Sequence, residues 1–245
     1  MDRRAQASEC DPNSGYIPAT PQNTRAITFN WARACSAYTL CGPVATHHGG
    51  GKFPYRPVIG DVCMSPNTGR YWLQLRVNTS DCRIGFCTTS AYPSNRSLEE
   101  CELGDLPVSR SSKKSSGSVS SQKDESTSSH QTKKDSLSDA TTVAYVDMQT
   151  SNVYVNGEKK KQLWRTFIAG SGALFSFVVD TKTGMIQLFV DKKYIGMAFD
   201  ASAKLKGKRL VPCVGIGGFD MSNTSMGMGK LSASVSPACP FDALY

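Results

Sequence analysis

The sequence predicts an all-β sandwich. Short segments in which apolar and polar residues alternate recur along the chain, and turn residues separate them about every 8 to 12 positions. No segment of about ten or more residues shows the period of about 3.6 that is typical of an amphipathic helix. We therefore expect two antiparallel sheets that pack on each other.

The first clear strand runs from Tyr71 to Val77, where every second residue is aromatic or apolar. The turn residues 78–81 follow, and the apolar residues 82–87 come directly after them. This order predicts that the two strands form a hairpin.

The second half of the chain predicts further strands. Val153–Val155 leads into Asn156-Gly157, which is the strongest short hairpin signal because both residues tolerate a positive φ. Between residues 172 and 199, three apolar segments separated by two turn clusters predict an antiparallel meander. Leu210–Ile216 predicts one more strand, with a proline near its start, where a missing N–H is tolerated.

Composition divides the chain into a domain, an insertion and two ends. Between residues 109 and 140, 13 of 32 positions are Ser and most others are charged or polar, so this segment cannot bury enough apolar area to offset the entropy of ordering it. We predict a disordered insertion there. The remaining divisions are a flexible tail at residues 1–24, a sandwich domain at 25–220 and a C-terminal extension at 221–245.

The composition argues against several functional classes. The 245 residues include 28 Lys and Arg against 20 Asp and Glu, a net charge of +8, and no apolar run approaches the ~20 residues that cross a bilayer. The first residues are charged and lead into Pro, Asn and Ser, so no secretory signal is expected. Nine cysteines without any C-x-x-C spacing indicate reduced thiols. We expect a cytoplasmic protein and leave a nuclear location open.

Four motifs in order resemble the SPRY domain family. Gly69-Arg70-Tyr71-Trp72-Leu73-Gln74-Leu75 resembles the family's G-x-x-Y-W-E-V strand, and Ile84-Gly85-Phe86 resembles the I-G-V that follows it. Gly172–Phe199 is similar to the family's segment in which a strand ending in Phe-Val precedes Tyr-Ile-Gly-x-Ala-Phe. Leu210-Val211-Pro212-Cys213-Val214 resembles the L-x-P-x-V strand. The resemblance covers residues 36–217.

The resemblance implies a bent sandwich of two antiparallel sheets, a concanavalin-like jelly roll, that acts as a protein-interaction module and not as an enzyme. In the family's peptide-binding SPRY/SOCS-box branch, an R-x-P-V-A stretch and a V-W-G stretch help to line a shallow pocket at one edge. Pro43-Val44-Ala45 stands in the first place, with Cys41 instead of the arginine. Gly217-Gly218-Phe219 stands in the second place, without the tryptophan.

Because two anchors of that branch are absent, its Asn-rich peptide specificity is not carried over. Tyr92 is added to the predicted site because it lies in the loop after the Ile84-Gly85-Phe86 strand. The residues predicted to contact a protein or peptide partner are Pro43, Val44, Ala45, Tyr92, Gly217, Gly218 and Phe219.

The sequence offers few groups for catalysis or metal binding. The three histidines are His47, His48 and His130, and the last of these lies in the predicted insertion. His47 and His48 precede Gly49–Gly51, so we predict a flexible loop in which adjacent side chains point to opposite sides and do not chelate one metal together. We predict no catalytic residue, no metal and no cofactor.

Two basic clusters define an alternative function. Lys159–Lys161 lies near Trp164, and residues 204–209 contain four more cations. Lysines beside aromatic residues can bind phosphates while bases stack, so a basic accessory subunit that contacts RNA or an acidic partner is the second hypothesis. Nucleic acid is the less favoured partner because a net charge of +8 is modest for a dedicated binder.

Overall fold

The computed structural model describes residues 24–48, 55–79, 81–105, 141–163, 172–217 and 233–238. These ranges contain fifteen strands and a short 3-10 turn at Ala201–Ala203. None of the described residues belongs to a helix that is long and apolar enough to cross a membrane. The strands are β1 Arg25–Ala26, β2 Trp31–Arg33, β3 Tyr38–Cys41, β4 Val44–His47, β5 Arg56–Gly60, β6 Arg70–Val77, β7 Cys82–Thr88, β8 Val143–Asp147, β9 Asn152–Val155, β10 Glu158–Gln162, β11 Ala173–Asp180, β12 Met185–Val190, β13 Lys193–Phe199, β14 Leu210–Ile216 and β15 Ala233–Ala238.

The strands form two sheets that stack as a sandwich. Sheet A has the order β13-β12-β11-β6-β15-β4-β3, and the short β1 pairs with β6 in parallel. Sheet B has the order β10-β9-β8-β7-β14-β5-β2. The core lies between them, where Phe177 of sheet A meets Phe86 of sheet B edge-on, with ring centroids 5.4 Å apart. The predicted all-β sandwich is confirmed.

The predicted meander is also confirmed and forms one half of sheet A. β11, β12 and β13 are successive neighbours, and both pairs are antiparallel. Ile186 and Leu188 alternate into the core and are fully buried. Gly184 ends the turn between β11 and β12 with a φ of +75°. Its α-carbon lies so close to the backbone of Leu205 and Lys206 that a side chain would have no space there.

The predicted hairpin between the strands at 71–77 and 82–87 is wrong. β6 pairs with β11 and β15 in sheet A, whereas β7 pairs with β14 and β8 in sheet B. The connection at 78–81 therefore crosses from one sheet to the other. The physical reason is that Leu75 and Phe86 belong to two inward apolar rows, and both rows are buried when they face each other across the core.

The hairpin predicted at Asn156-Gly157 is confirmed and joins β9 to β10. Both residues have a positive φ, 54° for Asn156 and 77° for Gly157. The Asn156 side-chain oxygen accepts a 2.9 Å hydrogen bond from the Val143 N–H, which ties the turn to β8. This hairpin makes β10 the last strand of sheet B among the described residues.

Sheet A includes a strand from the segment assigned to the C-terminal extension. β15 lies between β4 and β6 and is antiparallel to both, so that Val235 pairs with Ala45 on one side and with Val77 on the other. Its sequence is mostly Ala and Ser with a single β-branched residue, which explains why no strand was predicted. The predicted insertion at 109–140 lies outside the described residues.

His47 lies on a strand and not in the predicted flexible loop. It ends β4, pairs with Tyr38 and meets the Tyr38 ring at a centroid distance of 4.7 Å. Because β4 lies inside sheet A between β3 and β15, its inward side chains enter the core, and only 2% of His47 is exposed. His48 is exposed, with Nε2 2.6 Å from the Thr39 hydroxyl, so the two histidines point to opposite sides as predicted.

The burial of His47 predicts a loss of stability in mild acid. Burial lowers the pKa of His47 below its ordinary value of 6.5, and the nearby cation of Arg56 lowers it further. The unfolded chain therefore takes up this proton at a higher pH than the folded chain, so stability falls as pH drops below about 6.5. Thermal melts between pH 7.5 and 5.5 should show a fall in Tm that is smaller in His47→Gln. An equal fall in both proteins would contradict this role.

Candidate functional site

The predicted residues Pro43, Val44 and Ala45 lie on the β3–β4 hairpin. Pro43 is exposed in the turn and Val44 is half-buried, so both present surface to solvent. Ala45 is 0% exposed and pairs with Leu40 inside sheet A. The hairpin thus offers its tip as a contact surface, while Ala45 supports it from within.

The predicted residue Gly217 follows the end of β14 and contacts Asp81. The Gly217 N–H donates a 2.8 Å hydrogen bond to the Asp81 carbonyl. A β-carbon on Gly217 would overlap the Asp81 carboxyl group, so a larger residue there would require the Asp81 side chain to move. Gly218 and Phe219, the other two predicted residues of this stretch, lie outside the described residues.

The predicted residue Tyr92 is buried under its own loop. Only 3% of Tyr92 is exposed. Its hydroxyl donates to the Glu102 carbonyl and accepts from the Gly104 N–H, each at 3.3 Å. Its carbonyl accepts a 2.6 Å hydrogen bond from Arg33 Nη1. In this conformation Tyr92 fixes the 89–105 loop against sheet B.

The structure does not bring the β3–β4 turn and Gly217 together. The Gly42 carbonyl accepts from the Trp31 N–H, and Trp31 pairs with Gly60 at one end of β5. Gly217 follows Ile216, which pairs with the other end of β5. Since a strand rises about 3.3 Å per residue, the two predicted areas are separated by roughly 13 Å of strand.

Arg83 lies beside Gly217 in a cluster that the sequence analysis missed. Its guanidinium carbon is 3.8 Å from the centroid of the Tyr55 ring and 5.2 Å from that of Tyr145. The Tyr55 hydroxyl donates a 2.5 Å hydrogen bond to Asp81 Oδ1, and Asp81 also holds Gly217. The Arg83 cluster comprises Tyr55, Asp81, Arg83, Glu102, Tyr145, Asp147 and Tyr154.

Two carboxylates hold the Arg83 guanidinium. Nη1 lies 2.6 Å from Glu102 Oε1, and Nε lies 3.5 Å from Asp147 Oδ2. Burial alone lowers the pKa of Arg83, but Tyr145 and Glu102 more than offset this effect, and the pKa lies above its ordinary range. Burial raises the pKa of Tyr55, and the hydrogen bond to Asp81 raises it further. Arg83 is therefore cationic and Tyr55 neutral at physiological pH.

The Arg83 cluster is partly open to solvent. The side chains of Arg83 and Glu102 are 18% and 31% exposed, and Tyr55 is half-buried. Tyr154 is also half-buried and stacks on the buried Tyr145, with ring centroids 5.0 Å apart. Arg and Tyr are the residue types that most often dominate the binding energy of protein interfaces.

A separate pocket opens at the other end of β14. It has a volume of about 250 Å³, and its lining includes Arg33, Cys63, Tyr92 and Val211. Arg33 donates to three backbone carbonyls of residues 92–96, so its guanidinium closes the loop. The volume is below the roughly 300–1,000 Å³ of typical small-molecule sites. The described residues also contain no group of three or more side chains that could hold a metal ion.

The sequence carried only weak signals for the Arg83 cluster. Arg83 is next to the inward-facing Ile84 on a strand whose other residues are mainly apolar. Many arginines that simply face solvent occur in the same alternating pattern, so the pattern does not mark Arg83 as a site residue. Tyr55 precedes the first residue of β5 and has a φ of 51°, which no local motif indicates. Their meeting depends on pairing between strands that are distant in the sequence.

Comparisons with known proteins identify the fold. No family model matches the chain, and no curated protein matches it. Among solved structures, the TRIM65 PSpry domain is similar with 9% sequence identity and a TM-score of 0.52 over 87% of this chain and 93% of that chain. The SPRY domain of human HERC1 aligns with 14% identity and a TM-score of 0.47 over 86% of this chain and 98% of that chain. The predicted SPRY-like fold is confirmed.

Proposed function

We propose that this SPRY-like sandwich is a non-enzymatic protein-interaction module, an adaptor that acts in the cytoplasm. It binds a partner protein or peptide at the loop edge formed by the Arg83 cluster and Gly217. The observation that carries the proposal is the partly exposed Arg83, held against the Tyr55 ring and between two carboxylates beside Gly217. No catalytic step is part of this function.

The groups of the Arg83 cluster are held in place before a partner binds. The hydrogen bond to Asp81 fixes Tyr55, and stacking on Tyr145 supports Tyr154. Side chains that are already fixed lose little conformational entropy on association, so more of their contact energy remains as affinity. The carboxylates of Asp81 and Glu102 can accept further hydrogen bonds, which suits backbone or side-chain N–H groups of a partner.

The proposed contact area extends to the β3–β4 turn in a large complex. A standard interface buries about 800 Å² on each partner, which is wide enough to extend along the roughly 13 Å of strand that separates the two predicted areas. Pro43 and Val44 would then form its outer part. Ala45, Tyr92, Gly218 and Phe219 stay predictions as contact residues.

A binding experiment with two matched variants tests this function. A partner is first identified by affinity purification with the full chain and then titrated in purified form. Arg83→Ala and Tyr154→Ala should each weaken binding by at least about tenfold, because hot-spot residues contribute about 2 kcal/mol or more. Lys193→Ala, an exposed residue of β13 in sheet A, should leave the affinity unchanged.

Thermal melting of each variant shows whether it is folded. Tyr154→Ala keeps the test informative if Arg83→Ala fails to fold, since Arg83 also neutralises Asp147 and Glu102. Unchanged affinity in a folded Tyr154→Ala or Arg83→Ala protein would show that the partner binds elsewhere.

A further inference from the structure

The two lysine clusters of the sequence lie side by side in the fold. The Nζ atom of Lys161 in β10 lies 2.6 Å from Oδ2 of Asp200. Asp200 is the residue that directly follows β13. Asp200 caps the 3-10 turn at Ala201–Ala203, and residues 204–209 follow that turn. Among the described strands, β10 and β13 are the terminal strands of sheets B and A, so this contact joins the two sheets at one side of the sandwich.

The joined segments concentrate positive charge. We define the basic rim as residues 158–162 and 200–209, which contain seven Lys and Arg residues and two acidic residues. Its net charge of +5 is most of the +8 carried by the whole chain. The lysines at 159, 160, 204 and 206 are all exposed.

Both acidic residues of the rim are already paired. Glu158 contacts Lys160 at 2.6 Å, and Asp200 contacts Lys161 at the same distance. Burial raises the pKa of Asp200, but hydrogen bonds from Lys161 and Ser202 more than offset this, and the pKa lies below its ordinary range. The remaining cations of the rim thus act as an excess of positive charge.

β10 is an edge strand among the described strands, and it lies in the basic rim. Four of its five residues are exposed, and among the described strands only β9 pairs with it. The register of this pair shifts between Lys159 and Lys161, so the edge is regular on either side of that point. Lysines on an edge strand keep a second copy of the same strand away, because like charges face each other. The same lysines favour a strand of opposite charge. The rim therefore repels a second copy of β10 and attracts an acidic strand.

We infer that β10 binds an acidic, extended segment of a partner protein, which adds to sheet B as a further strand. Main-chain hydrogen bonds along the open edge would hold the segment, and the rim lysines would meet its carboxylates. Residues 158–162 and 200–209 contain no aromatic side chain on which bases could stack, and Trp164 lies outside the described residues. Tyr154, which pairs with Lys159, is half-buried, and Tyr145 covers one face of its ring, so it offers at most a single partly exposed ring face. An acidic peptide therefore fits the rim better than a nucleic acid.

The inference is tested with short probes and the purified full chain. The main probe is a fluorescent ten-residue peptide of alternating Val and Glu. The second probe is the same peptide with alternate backbone nitrogens methylated, which keeps the charge but removes the hydrogen bonds of one edge. The third probe is a single-stranded oligonucleotide of equal charge. The chain should bind the first probe at least tenfold tighter than either of the others.

Variants of the chain locate the binding surface. Lys159→Glu combined with Lys160→Glu should weaken binding of the Val-Glu peptide by tenfold or more, and the neutral pair Lys159→Gln and Lys160→Gln should weaken it less. Lys193→Glu, on β13 outside the rim, is the matched control and should bind as the unchanged chain does. Hydrogen exchange should slow in β10 when the peptide is present.

Several outcomes would overturn the inference. These are equal affinity for the methylated peptide, tighter binding of the oligonucleotide, no binding of any probe, and unchanged affinity in the double Glu variant. Arg83→Ala should bind the Val-Glu peptide normally, because the inference does not rest on the proposed loop-edge site.

Discussion

Phe177→Ala is expected to lower the free energy of unfolding by about 3–5 kcal/mol, because large-to-small changes at fully buried aromatic residues leave a cavity that the core cannot fill. Phe177 is 0% exposed in the centre of β11. Its ring contacts Phe86 of the opposite sheet edge-on, so the loss also removes a favourable aromatic pair between the two sheets.

Urea denaturation of the purified chain measures this loss. Phe177→Leu retains most of the buried volume and should lose clearly less stability than Phe177→Ala. Lys193→Ala changes an exposed residue of sheet A and should stay within about 0.5 kcal/mol of the unchanged chain. If Phe177→Ala were as stable as Lys193→Ala, the assignment of Phe177 to the shared core of the two sheets would be wrong.

Gly184→Ala is expected to destabilise the fold by about 2–5 kcal/mol. Its φ of +75° lies in the left-handed region, where a non-glycine residue costs about 1–2 kcal/mol. An added β-carbon would also lie 2.7 Å from the Leu205 carbonyl carbon and the Lys206 α-carbon, and backbone atoms cannot move aside as a flexible side chain can. Forced contacts of this kind cost about 1–3 kcal/mol more.

Gly172→Ala is the matched control for the steric part of this effect. Gly172 has a similar φ of +84°, but a β-carbon there would meet no atom of the described residues within 4 Å. It should therefore show only the cost of the backbone conformation, about 1–2 kcal/mol. Equal losses in the two variants would mean that the segment containing Leu205 and Lys206 does not pack against the β11–β12 turn.

Local patterns were sufficient to predict the elements whose partners are close in sequence. The meander from β11 to β13 and the hairpin at Asn156-Gly157 were predicted because the turn residues and the apolar alternation specify both strands at once. The SPRY-like fold followed because four such local segments occur in the family's order.

Local patterns did not predict the features that depend on pairing between strands far apart in the sequence. The segment 78–81 contains ordinary turn residues, and nothing in it shows that β6 and β7 join different sheets. β15 carries little strand propensity, and its place is set by the open edges of β4 and β6. His47 was assigned to a loop from its glycine neighbours, although pairing with Tyr38 determines its burial.

In the candidate site, too, local motifs predicted single residues but not the contacts between distant segments. Pro43 and Gly217 were found from short motifs, but a motif does not give the distance between them. Arg83 became a candidate only when its contacts with Tyr55 and Glu102 were known, because these residues come from three separate segments. Tyr92 was chosen by its loop position, and the loop turned out to fold over its side chain.

The position of β15 has a consequence for the order of folding. β4 and β6 lie early in the chain, yet residues 45–47 of β4 and 74–77 of β6 have no strand on one side until Ala233–Ala238 inserts between them. During synthesis these two edges would exist for as long as the ribosome takes to translate most of the sequence. Contacts between such distant segments close slowly, and open edges recruit other chains in the meantime. The interval before β15 emerges is therefore the period in which these edges are most open to pairing with other chains.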